Sequence, residues 1–377
     1  RCKRCDYRGI FLNQSPLPLT SDYLSLLTDK VPMIDVRAPV EFQTGALPFS
    51  QNLVLMSDDE RQQVGICYKQ EGQQAAITLG HQIVSGDRKQ QRINAWGDFV
   101  ASNPNAVLYC ARGGLRSQLS QQWLADAGVI CPRVEGGYKS LRGFLINQIA
   151  DLCSNEKFVL LSGMTGTGKT DIIKTLPRSI DLEGAANHKG SSFGRPLDQQ
   201  PSQVDFENVI ALDLMAVKQN YPQRSIILED ESRNIGGRHL PIPLTSSMVV
   251  SPMVVIELPF EQRIEKLWQE YVVDRYQETV AYHAENAETA FADYLIDSLL
   301  RVKKRLGGQR TNEIHTLMNN ALKTQHNDNF ANHRGWLTAI TADYYDPMYL
   351  YQLEKRRERV AFRGNHQEIT QWLSESA

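Results

Sequence analysis

The chain has 377 residues, 41% of them apolar and 22% charged, with a formal net charge of −2. That length exceeds what one hydrophobic core serves, so two or more domains are expected, and the composition excludes a disordered chain. A near-neutral protein has no long-range pull on RNA, so any such binding must come from local basic patches. No apolar run is long enough for a membrane span and no charged-then-apolar leader opens the chain. Six cysteines make no disulfide framework, so a reducing cytoplasm is expected.

Residues 1–18 show no periodicity and read as a poorly structured tail, in which Cys2-x-x-Cys5 has no second pair to complete a zinc site. From residue 19 to 152 strands alternate with helices, the pattern of an α/β domain with a mostly parallel sheet. Strands are expected at 31–36, 52–55, 106–109 and 129–134, and a long helical region at 58–101. The first strand ends in Asp35-Val36-Arg37. The third runs into Cys110-Ala111-Arg112-Gly113-Gly114-Leu115-Arg116, before a helix that starts at Ser117 and stops at Gly128.

Residues 153–258 read as a second α/β domain. Its first strand, 158–161, leads into Gly163-x-x-x-x-Gly168-Lys169-Thr170 and then a helix, the strand–loop–helix order of a P-loop. Glycines let successive N–H groups of residues 163–170, through Thr165, Gly166 and Thr167, turn inward toward an anion. The helix dipole and Lys169 add positive charge, and the Thr170 hydroxyl suits magnesium. Glu229 and Asp230, at the end of a later apolar strand, form an acid pair suited to holding magnesium through water. The polar loop 183–203 contains His188 and Arg195. A strand at 254–257 is expected to be the last of this domain, and 259–377 reads as a helical C-terminal region.

Cys110 sits where a strand hands over to a helix, flanked by Arg112 and Arg116. Turn amides, the helix dipole and two guanidinium groups all favour a thiolate there. Cys67 reads equally as packing or as a second reactive thiol, whereas Cys131 and Cys153 read as buried packing. The spacing Cys-x5-Arg alone leaves two chemistries, a cysteine-dependent phosphatase or a carrier of sulfur or selenium. The phosphatases usually place His before the cysteine, and here Tyr109 stands there. The run Asp35-Val36-Arg37-Ala38-Pro39-x-Glu41-Phe42-x-x-Gly45-Ala46-Leu47-Pro48 resembles the rhodanese signature, which favours the carrier.

A rhodanese-like parallel-sheet domain joined to a P-loop NTPase-like α/β domain resembles the bacterial tRNA 2-selenouridine synthase family. Further matches are Gly65-x-Cys67-Tyr68-Lys69-Gln70, Leu79-Gly80-His81, Val134-Glu135-Gly136-Gly137-Tyr138-Lys139, Asp181-Leu182-Glu183-Gly184, Leu228-Glu229-Asp230-Glu231-Ser232-Arg233 and Tyr344-Tyr345-Asp346-Pro347. The likeness spans about residues 20–373. It implies replacement of sulfur by selenium in the wobble 2-thiouridine of tRNA, with selenophosphate as donor. It also implies geranyl diphosphate as co-substrate, through an S-geranyl intermediate, and a selenophosphate-producing enzyme as candidate partner. By the same resemblance Cys110 carries or delivers selenium, Arg112 and Arg116 hold its anionic form, and Asp35 and Arg37 brace the loop.

Which anion occupies which cradle does not follow from the sequence; a loop shaped for linked phosphates suits the diphosphate. For tRNA, Lys303, Lys304, Arg305 and Arg310, with Lys355, Arg356 and Arg357, are candidate phosphate contacts, and Tyr138, Tyr344 and Tyr345 candidate stacking partners. Two other readings stand beside this one. One is an ATP-dependent kinase or sulfurtransferase with a rhodanese sulfur donor. The other is a nucleotide-gated binding protein, against which the missing N-K-x-D motif and the Cys110 loop both argue.

Overall fold

The computed structural model describes residues 16–327 and 329–376, and Cys2 and Cys5 lie outside them. The chain divides into two compact units between Asn147 and Gln148. Among the described residues no helix is long and apolar enough to cross a membrane.

In the first unit, β1 (Leu19–Thr20), β2 (Met33–Asp35), β3 (Ser50–Asn52), β4 (Val107–Tyr109) and β5 (Arg133–Val134) form one sheet in the order β1-β5-β4-β2-β3. Every pairing is parallel. β2 and β4 are wholly buried, as strands covered on both faces must be. Because Asp35 pairs with Tyr109 in register, the chain leaves both strands at the same edge, and the segments Asp35-Val36-Arg37 and Cys110–Arg116 emerge side by side. The expected long helical region consists of three helices, Asp58–Glu71, Gln73–Ile83 and Gly86–Ser102. Gly72 and Gly86 separate them with φ of +89° and +53°, angles that break a right-handed helix. Beneath the sheet edge, Trp96 and Trp123 pack with Ile34, Leu108 and Leu124.

In the second unit, β6 (Phe158–Gly163), β7 (Ser179–Ile180), β8 (Ile226–Glu229), β11 (Met253–Ile256) and β12 (Val360–Gly364) form a second parallel sheet, order β12-β11-β6-β8-β7. A separate hairpin pairs β9 (Asn234–Ile235) with β10 (Arg238–His239). The fully buried β6 lies at the centre of the sheet.

The strand expected to close this sheet, β11, is not its edge: β12 adds to it, from a segment read as part of a helical region. Only five residues long, and alternating between half-buried and exposed, β12 gives little apolar signal. The helix behind it, His366–Ser376, buries Ile369 and Leu373 against Val159, Leu161 and Ile227 of the sheet. The helices between Phe260 and Glu354 pack around Phe291, Leu295, Leu299, Ile314, Met318 and Trp336. Two π-helical turns, Gln269–Asp274 and Thr341–Tyr345, interrupt that layer.

Candidate functional site

Loop 163–170 forms one wall of a cleft of about 1580 Å³ in the second unit. The loop's glycines have steric reasons. Gly166 and Gly168 adopt φ of +83° and +76°. A Cβ on Gly166 would meet the Arg263 carbonyl at 2.7 Å, and one on Gly163 would meet Thr167 Oγ1 at 2.5 Å. The helix Phe260–Trp268 presses on the loop from outside. From it the buried Arg263 donates to the Thr165 carbonyl at 3.1 Å and to both oxygens of Asp346 at 2.8 and 2.6 Å. His366 contacts the Thr167 carbonyl from the last helix.

Lys169 Nζ donates to the Gly163 carbonyl at 3.0 Å. Burial alone would lower its pKa, but the carboxylates of Glu231, Glu183 and Glu229 outweigh that and raise it. Thr170 Oγ1 donates within 3.2 Å of Glu183 and 3.3 Å of Glu229. The Glu229 carboxyl is pushed up to about 8 by burial and then by the neighbouring Glu183, and Glu231 is raised by the same two causes.

The expected pairing of Glu229 with Asp230 is not what the fold makes. Successive residues at a strand end point to opposite sides. Glu229 turns to Thr170, while Asp230 accepts from Ser162 at 2.6 Å and from both Nη atoms of Arg356 at 2.7 and 3.0 Å. Glu183 takes the place beside Glu229. Among the described residues no group of three or more His, Cys, Asp or Glu side chains is arranged to hold a metal ion.

The loop 188–195 forms another wall. It closes on itself, with Lys189 N–H donating to the Gly194 carbonyl at 2.9 Å, and Gly194 must be glycine because a Cβ would strike the Lys189 carbonyl. Phe193 is buried between Tyr271 and Trp336. Ser191 donates to the Tyr271 phenol at 2.9 Å, Ser192 bonds the Tyr345 phenol at 2.8 Å, and Tyr294 donates to the Phe193 carbonyl. Tyr271 and Tyr345 both sit in the π-helical turns, which re-aim side chains within a helix. These anchors were missed by sequence reading, since a π turn leaves no periodic signal.

In the first unit, Cys110 is buried and its Sγ donates to Ser117 Oγ at 3.2 Å. The loop is held by backbone: Tyr138 and Lys139 donate to the Cys110 and Ala111 carbonyls at 2.9 and 3.0 Å. That closeness requires glycine at 137, where a Cβ would lie 2.2 Å from the Cys110 carbonyl. Asp35 and Arg37 form a buried bidentate pair, and Arg37 also donates to the Gly45 carbonyl at 2.8 Å. Arg37 lies 4.0 Å from the Tyr138 ring centre, and Tyr138 stacks on Tyr109, so Tyr138 is part of this brace.

The two loop arginines differ. Arg116 is neutralised by Glu41 at 2.5 and 3.0 Å, and Arg61 shares that carboxylate at 3.1 Å. Arg112 is exposed, with no ion-pair partner among the described residues. Cys67 lies on the helix Asp58–Glu71, away from the Cys110 loop in sequence, with its thiol raised by burial and by Glu71. Burial pushes Cys131 and Cys153 up to about 12. Gly80 borders an apolar pocket of about 360 Å³ that also touches Leu115, Arg116 and Trp123.

The candidate RNA contacts separate by partner. Arg310 is held by Asp343 and Glu313, Arg357 by Glu354, and Arg356 by Asp230. Lys355 lies 4.1 Å from the Tyr351 ring centre. Lys303 and Lys304 are exposed without ion pairs among the described residues, and Arg305 borders the cleft. Tyr344 and Tyr345 both border the cleft, Tyr345 buried as an anchor and Tyr344 half-buried.

A glycine loop between the central strand of a parallel sheet and a helix, with Lys and Thr at the helix start, is the architecture of the P-loop class. Residues 156–377 match the model of the tRNA 2-selenouridine synthase AAA domain. The chain is 49% identical over 370 residues to the tRNA 2-selenouridine synthase of Pseudomonas fluorescens strain Pf0-1, covering 98% of this chain and 96% of that one. It is 48% identical over 356 residues to that of Shewanella frigidimarina, covering 94% and 97%. The chain belongs to the tRNA 2-selenouridine synthase family.

Proposed function

We propose that this protein replaces the sulfur of wobble 2-thiouridine in tRNA by selenium, using two anion-handling sites with different chemistry. The observation that carries the substrate is the match along nearly the whole chain to relatives named for that reaction. What the geometry adds is a division of labour. The loop 163–170, with Lys169 and Thr170, suits a diphosphate, and we assign geranyl diphosphate to it. There the thiouridine sulfur attacks the first carbon of the geranyl chain and diphosphate leaves. Magnesium, where it takes part, would sit by Thr170, Glu183 and Glu229 and balance the leaving charge.

The second step belongs to the rhodanese-like unit. The selenium of selenophosphate attacks carbon 2 of the S-alkylated base and the geranyl thiolate leaves; water then takes the phosphoryl group from selenium as phosphate, leaving 2-selenouridine. Cys110 is the delivering residue, and Arg112, unneutralised, is the cation that meets the anionic donor. Arg116 orients the loop through Glu41. The protein works in the cytoplasm, supplied by a selenophosphate-producing enzyme.

The test is to incubate purified protein with tRNA bearing 2-thiouridine and to analyse the nucleosides by mass. With geranyl diphosphate alone S-geranyl-2-thiouridine should accumulate, and adding selenophosphate should convert it to 2-selenouridine. Rapid turnover of ATP without change in the tRNA would refute the reading and favour a kinase.

A further inference from the structure

Three cations around the cleft of the second unit are held in ion pairs. Lys189 pairs with Glu270 at 2.5 Å, Lys266 with Asp171 at 2.6 Å, and Arg356 with Asp230 at 2.7 Å. Arg195, His188 and Arg301 are among those that are not. Arg195 donates only to neutral oxygens, the Tyr294 carbonyl and Ser298 Oγ, each at 3.4 Å, and its Nε has no partner. His188 Nδ1 is buried without a partner. Arg301, on the helix Ala287–Leu306, is exposed and forms no ion pair among the described residues. All three border the cleft.

We propose that Arg195, Arg301 and His188 form a second phosphate-binding subsite, separate from loop 163–170, that takes a phosphodiester of the tRNA. This rests on the reading that tRNA is the substrate and that the loop holds a diphosphate. Two like charges brought together from different elements, Arg195 half-buried and Arg301 exposed, neither in an ion pair among the described residues, repel each other until an anion joins them. That repulsion is felt: the Arg195 pKa is lowered by burial and then by Arg301, an effect larger than the opposite pull of Asp297. His188 is lowered by burial, against the opposing effect of the Lys189 backbone, and Arg195 and Arg301 act in the same sense as burial.

The loop bearing Arg195 and His188 is fixed by Tyr271, Tyr345 and Tyr294, so its groups are held in place before a ligand arrives. Guanidinium forks suit phosphate oxygens. A polynucleotide fits better than a free phosphate for two reasons. The cleft of about 1580 Å³ far exceeds a small anion. Arg305, four residues beyond Arg301, continues the same helix face along the cleft, which gives successive phosphates a track.

The experiment compares the full chain with Arg301→Gln, Arg301→Lys and Lys169→Ala. Binding of a synthetic anticodon stem-loop RNA is followed by fluorescence anisotropy across a salt series, and binding of inorganic diphosphate and of inorganic phosphate by calorimetry. Arg301→Gln should weaken RNA binding roughly three- to tenfold and make the slope of log K against log salt shallower by about 0.7–0.9, one contact's worth. Arg301→Lys should restore the slope, because charge sets it. Diphosphate affinity should stay within about twofold, since Arg301 is no part of loop 163–170 and salt screens an exposed charge.

If Arg301→Gln abolishes binding of inorganic phosphate and leaves RNA binding unchanged, the subsite stands but its occupant is a free phosphate. If neither changes, the subsite is overturned. Unchanged diphosphate binding in Lys169→Ala would instead overturn the assignment of loop 163–170, leaving the RNA result to be judged by itself.

Discussion

The Arg263–Asp346 pair should be unequal in a way the structure sets. Arg263 is 4% exposed and Asp346 15% exposed. Two contacts of 2.8 and 2.6 Å join them, and Arg263 spans from that carboxylate to the Thr165 carbonyl of the glycine loop. Asp346→Ala leaves a buried guanidinium with one carbonyl and the Phe260 ring, 5.2 Å from its centre, for company. Losing one partner of a buried pair costs about 3–5 kcal/mol, and the partial exposure of Asp346 places this near 3. Arg263→Met fills much of the same volume and leaves the more exposed partner to rehydrate, at roughly 1–2 kcal/mol. Hydrogen exchange of the peptide containing residues 163–170 reads the local opening without assuming that the two units unfold together. About 3 kcal/mol corresponds to exchange roughly a hundredfold faster in Asp346→Ala, with Arg263→Met changing less and the double variant resembling Arg263→Met. Equal effects of the two single variants, or additivity in the double one, would refute the reasoning.

Three further outcomes are expected. Cys110→Ser should keep its fold and tRNA binding but lose selenium incorporation, while Cys131→Ser changes only stability; nucleoside mass analysis and a melting curve separate them. Lys169→Ala should reduce S-geranylation yet still convert tRNA that has been geranylated beforehand, and equal loss of both steps would show that selenophosphate also uses the loop. The Glu229 carboxyl, at about 8 in the fold against an ordinary 4.5, stays protonated in the fold where the unfolded chain ionises; stability should therefore fall as pH rises from about 4.5 to about 8, and Glu229→Gln should flatten that fall in urea titrations across pH.

Much of the glycine loop and the Cys110 loop was legible because each depends on residues adjacent in sequence. Gly163, Gly168, Lys169 and Thr170 announce a turn and a helix start, and Asp35-Val36-Arg37 folds back on itself within three residues. What brings Arg37 against Tyr138, or Glu41 against Arg116, is the parallel register of β2, β4 and β5, which no local pattern states. The acid beside Glu229 was misassigned for the same reason. Adjacency in sequence suggested Asp230, whereas strand alternation sends Asp230 to Arg356 and the fold supplies Glu183 from another element.

The helical layer after Pro259 read as a charged region fit to meet RNA, and its charges turn out to have two fates. Arg263 and Arg356 reach inward, and so do the hydroxyls of Tyr271, Tyr294 and Tyr345. Each holds a segment of the α/β part of this unit: the Thr165 carbonyl, Asp230, or the 188–195 loop. A basic run therefore says little about RNA until each member's partner is known, because an arginine already bonded to a carboxylate must break that bond to take a phosphate. Arg310 and Arg357 are paired in this way, though at the surface, where the cost is small. Arg301, Lys303 and Lys304 have no ion pair among the described residues, and Arg305 borders the cleft beside Arg301. The charge available to a polyanion thus concentrates at the end of the helix Ala287–Leu306, and Arg301 and Arg305 carry it to the edge of the same cleft that loop 163–170 lines. Under the proposed reading, attraction of tRNA and placement of its phosphates beside loop 163–170 fall to the same helix end.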